Sequence, residues 1–76
     1  MSDQDYAWST TVPCQDAHGR PREATVYVRH DGSLGVLAPP GEAIHFTARS
    51  AGINFRDAIA AALHQAGQVA DKRRQK

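Results

Sequence analysis

Polar and apolar positions alternate from residue 6 onward: Tyr6, Trp8, Thr10 and Val12 fall on one side, Ala7, Ser9 and Thr11 on the other. A period of two marks a strand with one face buried. Pro13 has no N–H for a ladder, so it predicts an edge position or the strand's end. Gly19 and Pro21 break QDAHGRPRE into a loop. EATVYVRHDGSLGVLA then alternates on both sides of Asp31-Gly32 and predicts a hairpin. A two-residue Asp31-Gly32 turn would pair Val28 with Gly35 and leave Leu34 and Val36 on the wrong face. A three-residue loop, His30-Asp31-Gly32, with a glycine bulge pairs Val28 with Leu34, Val26 with Val36 and Ala24 with Ala38. A slip of one residue turns every side chain over, so the aliphatic pattern selects this longer loop. The opposite face then carries Thr25, Tyr27, Arg29, Ser33 and Leu37. APPGEA suits a type II turn, with proline and glycine at the central positions. AIHFT follows as a short fourth strand.

After residue 47 the period changes. Thr47 suits an N-cap. Ala48, Ala51, Phe55, Ile59, Ala62, Ala66 and Val69 recur three or four apart, with Ala58 and Leu63 beside them. One helix over about 48–68 is predicted, with Gly67 as its stop. Gly52 costs about 1 kcal/mol inside it, which keeps a later start at Asn54 as the alternative. A lone amphipathic helix must bury its stripe, and the aliphatic face of the hairpin is the large apolar surface on offer. The expected fold is α+β: a three- to four-stranded antiparallel β-meander with one C-terminal helix packed on one face. Phe55, Ile59 and Leu63 are expected to meet Trp8, Val26, Val28, Val36 and Phe46. Residues 1–5 are expected to be disordered, 6–68 to form a single domain, and 69–76 to be a basic tail.

Size narrows the chemistry. A chain of 76 residues buries only about 60% of its unfolded surface, a small core on which to build an active site. The single cysteine, Cys14, excludes an internal disulfide. Cys14 and His18 lie four apart, yet no residue is placed to orient the imidazole as a base. His30, His45 and His64 lack the spacing of a metal motif, and there is no phosphate-cradling loop or pair of carboxylates set for acid–base work. No catalytic, cofactor-binding or metal-binding residue is therefore assigned, and the chain is expected not to be an enzyme. No apolar run approaches the roughly 20 residues of a membrane span. MSDQDYAWST has no basic and apolar leader pattern, so the cytoplasm is the expected compartment.

Two surfaces remain as candidates. A sheet with one helix leaves its second face uncovered, and there Tyr27 and Leu37 sit among Thr25 and Arg29; apolar groups ringed by polar ones suggest a partner surface for another protein or for the chain itself. The alternative is nucleic acid. Lys72, Arg73, Arg74 and Lys76 end the chain, and Arg29 beside an aromatic on a sheet is a motif of single-strand binding. The net charge of +1 is low for that role.

The sequence order is Trp8-Ser9, the hairpin TVYVRHDGSLGV, then IHFTARSAGINFRDAIAAAL with PPGEA before it. This order resembles small actinobacterial domains of unknown function encoded near helix-turn-helix regulators. The likeness covers residues 6–66. It implies an accessory to a transcriptional regulator and carries no catalytic residue.

Overall fold

The computed structural model describes residues 6–74, with side chains through residue 72. Strands β1 (Trp8–Gln15), β2 (Pro21–Val28) and β3 (Leu34–Leu37) form an open antiparallel sheet in the order β1-β2-β3. Helix α1 (Arg49–Arg74) packs on one face of it. The α+β architecture is the one expected, with three strands.

The hairpin takes the register that the aliphatic pattern selects: Val28 opposite Leu34 and Val26 opposite Val36. Its loop is His30, Asp31 and Gly32. The Gly32 N–H donates to the Arg29 carbonyl at 3.0 Å and the Arg29 N–H to the Ser33 carbonyl at 2.8 Å. Gly32 sits at φ 90°, a conformation that any Cβ would penalise. The Asp31 carboxylate accepts from the Ser33 N–H at 2.9 Å and holds the turn from outside. Ala24, Val26 and Val28 point to the helix and are fully buried, joined by Val12 and Cys14 from β1.

Tyr6 departs from the alternation. Val28 is opposite Trp8 in the ladder, yet its carbonyl also accepts from the Ala7 N–H at 2.8 Å. Two residues of the first strand thus face one of the second, as in a bulge, and the alternation slips there. Tyr6 ends on the outer face, its ring stacked on Tyr27 with centroids 4.6 Å apart.

The fourth strand reduces to a single bridge. β3 ends at Leu37, before Pro39 and Pro40, neither of which can donate to a ladder. The Glu42 N–H donates to the Pro39 carbonyl at 3.1 Å, with Gly41 at φ 94°, which is the expected type II turn. The chain then crosses to the far edge of the sheet, where His45 bridges Gln15 of β1 through paired bonds of 2.8 and 2.9 Å. A meander would have placed it beside β3.

The helix rests on small residues. Ala62 and Ala66 are buried against Val12, Val26 and Val28, ringed by Trp8, Phe46, Phe55, Ala58, Ile59 and Val69. Phe46 and Phe55 meet with ring centroids 5.4 Å apart, so the short connection still supplies core. Leu63 is the correction: it is 57% exposed. At 100° per residue it lies a quarter-turn from Ala62, and α1 sits over β1 and β2 more than over β3. Gly67 does not stop the helix, which runs on through Arg74.

At the other end, Ala48 replaces Thr47 as the cap. Its carbonyl accepts from the Gly52 N–H at 3.3 Å, the first intrahelical bond. An alanine there offers no side-chain acceptor, and the first turn carries no acid. Ala48→Asp should therefore raise stability by about 1 kcal/mol. That is about 4–8 °C in melting temperature for a domain this size, measurable by thermal denaturation at neutral pH, and an unchanged midpoint would refute this cap.

Candidate interaction surface

The sheet's outer face carries Thr25, Tyr27, Arg29 and Leu37, the four residues expected to form the partner surface. Thr25 pairs with Leu37 and Tyr27 with Gly35 across β2 and β3. The Arg29 guanidinium lies 5.6 Å from the Tyr27 ring centre. The Tyr27 phenol lies over Gly35: a Cβ built on that glycine would come within 2.6 Å of Tyr27 Cζ. Tyr27 is thus occupied, with Tyr6 stacked on it, Gly35 beneath its phenol and Arg29 alongside. It is half-buried and is not the open apolar spot that the alternation suggested. Ser9, Thr11 and Thr25 make the rest of this face hydroxyl-rich, and Leu37, 41% exposed, is its one bare aliphatic among the described residues.

The basic residues divide. Lys72 is exposed near the end of α1. Arg73 and Arg74 belong to its last turn, their side chains lying outside the described residues, as does Lys76 entirely. A Cβ on Gly32 would sit 3.7 Å from that of Ala70, so the hairpin turn and the helix end share one end of the molecule. Arg29 stands with Tyr27 on the sheet face opposite α1, so these charges do not form one surface with Lys72.

The alternation missed a second surface. Leu34 and Val36 are on the helix side of β3 but remain 39% and 37% exposed, because α1 stops short of them. Leu63 projects toward the same edge from α1, with half-buried Ile59 on that side of the helix. The β3 backbone is also free there. The Arg29 N–H bonds Ser33, and hydrogen-bonded pairs alternate along an antiparallel ladder. Tyr27–Gly35 and Thr25–Leu37 are therefore the bonded pairs, and Leu34 and Val36 turn their N–H and C=O groups outward. The strand Leu34-Gly35-Val36-Leu37 holds no charge and no proline. β1 is the better-guarded edge: Pro13 offers no N–H, and His45 covers Gln15. Between β1 and the first half of α1 runs an open groove of about 410 Å³, bordered by Trp8, Thr10, Pro13, Asn54, Asp57 and Ala61.

The remaining chemistry is structural. Asp16, 3% exposed, closes the β1–β2 loop: its Oδ1 accepts from the His18 and Arg20 N–H groups at 2.9 and 3.0 Å, and its Oδ2 from Arg22 Nε at 3.2 Å. The Arg20 N–H does most to hold the carboxyl at about 2, against the upward pull of burial, with Arg22 and the His18 N–H adding to the lowering. Cys14 is buried. Burial first, then the negative charges of Asp16 and Glu23, push its thiol up, away from the thiolate that a nucleophile needs. His18 lies exposed in the loop. His30, His45 and His64 stand on the turn, the bridge and the helix, and His64 contacts Gln68 at 3.2 Å. Among the described residues no three His, Cys, Asp or Glu side chains come together as metal ligands. No described helix is long and apolar enough to cross a membrane.

Fold and surface together define a small two-layer α+β protein with one guarded and one bare sheet edge. No protein-family model matches the chain, and neither the curated proteins nor the solved structures give a match.

Proposed function

We propose that this chain is a non-enzymatic protein–protein interaction module, and that it makes contact through the β3 edge with Leu34, Val36 and Leu63. One observation carries this reading: an uncharged edge strand with unpaired backbone groups lies beside three exposed large aliphatics drawn from two elements. Small proteins seldom leave such an edge bare without a partner. Leu37, with Thr25, Tyr27 and Arg29 behind it, forms the rim on the outer face. An accessory role beside a regulator fits a module of this kind, and the resemblance of the hairpin and helix sequence supports it. Nucleic-acid binding through Arg29, Lys72, Arg73, Arg74 and Lys76 draws less support, since Tyr27 offers no open ring face for stacking.

A photo-crosslinking residue at Leu63 should trap a protein in the producing cell. The same residue at Gln68, exposed and about 140° around the helix, should trap none. Adducts at neither position, or equally at both, would refute this surface.

A further inference from the structure

We infer that the partner at this edge is a second copy of the chain. In this assembly the two β3 strands pair antiparallel across a twofold axis at Gly35, so that two three-stranded sheets become one of six. The inference rests on the interaction-module reading above and supplies its partner.

The backbone allows one favourable register. The outward groups belong to Leu34 and Val36, so Leu34 of one copy faces Val36 of the other, and the reverse. This gives four inter-chain hydrogen bonds. Gly35 then faces Gly35 on the axis, where the absence of a Cβ leaves room for the two Tyr27 phenols that lie over it. β3 carries no charge, so its self-pairing meets no like-charge repulsion.

The side chains close the same way. A twofold axis perpendicular to the sheet puts both helices on one face, each turning its Leu63 side toward the other. Strands about 4.8 Å apart place helices centred between β1 and β2 roughly 19 Å from each other. That is too far for helix-to-helix packing but leaves a trough floored by Leu34 and Val36, which the two Leu63 side chains fill.

Light scattering or sedimentation of the purified full chain should show the mass rising from 8.2 kDa to twice that with concentration. Val36→Pro should hold it at the monomer mass, because the Val36 N–H faces away from β2 and proline there removes no ladder bond from the monomer. Leu63→Lys provides an independent test at an exposed helix position, and should weaken dimerisation about tenfold or more while keeping the monomer's melting temperature. The Leu34 and Val36 amides should gain exchange protection only where the dimer forms. A chain monomeric at every concentration overturns the proposal, and the Leu63 crosslink then reports separately whether another protein uses the surface. A dimer indifferent to both variants overturns it too. So does open-ended growth, which would mean that β1 of one copy pairs with β3 of the next.

Discussion

Val26→Ala should cost about 2–3 kcal/mol, with the urea midpoint shifted and the slope unchanged. Val26 is fully buried at the centre of the sheet, between Thr10 on β1 and Val36 on β3 and beneath Ala62 and Ala66 of the helix. Two lost carbons at about 0.8 kcal/mol each account for roughly 1.6 kcal/mol. The cavity adds about 1 kcal/mol more, because a seat made of alanines has no long side chain to swing into the space. Domains hold roughly 0.05–0.15 kcal/mol per residue, or about 4–11 kcal/mol for this chain, so one substitution removes a large share. The same seat predicts the reverse failure. Ala62→Leu lifts the helix off the sheet and should cost about 1–3 kcal/mol. Leu63→Ala, in monomer conditions, should stay below about 1 kcal/mol because the side chain is already more than half in water. Equal losses at Val26 and Leu63 would mean the helix is rotated from the position described.

That contrast shows where sequence pattern suffices and where it does not. The hairpin register could be derived because a one-residue slip turns Leu34 and Val36 to the face opposite Val26 and Val28, a penalty borne by side chains near in sequence. Leu63 could not be placed in the same way. Helical spacing gives a face about 100° wide, and which half of that face meets the sheet depends on the lateral position of the helix over three strands. Alanines at 62 and 66 set that position by allowing close approach over β1 and β2. The tertiary choice leaves Leu34 and Val36 uncovered, so the candidate surface moved from the outer sheet face to the β3 edge. Thr25, Tyr27, Arg29 and Leu37 do share a face, but whether Tyr27 is open there depends on the bulge at Ala7 that brings Tyr6 over it. The fourth strand failed for a related reason: Pro39 and Pro40 end pairing locally, and the chain's return to β1 is decided by where α1 has to start.

Acid should destabilise the chain between pH 4 and pH 2 through Asp16, and Asp16→Asn should remove most of that pH dependence. The carboxyl titrates near 3.8 in its ordinary state and near 2 in the fold. Between those values the unfolded chain binds more protons, so stability falls as pH falls; above pH 4 the contribution is complete and below pH 2 it is gone. The acceptor set explains why the effect concentrates on this residue. Asp16 replaces a conventional turn with three donors drawn onto one carboxylate, while its own backbone N–H reaches the Arg20 carbonyl at 3.1 Å and its carbonyl takes the Gly19 N–H at 3.0 Å. Asparagine can still accept from the His18 and Arg20 N–H groups through Oδ1, but it presents an amide to Arg22 and has no charge to lose. The variant should therefore be less stable than the parent at pH 7 and converge with it near pH 2. Salt should remove only part of the difference. The Arg22 side chain is 39% exposed and its attraction is screened, whereas the two backbone donors on the nearly buried carboxylate are much less sensitive. Chemical denaturation at a series of pH values gives both curves directly. Parallel acid limbs for parent and variant would show that other carboxylates set the acid limit and that the β1–β2 loop does not govern it.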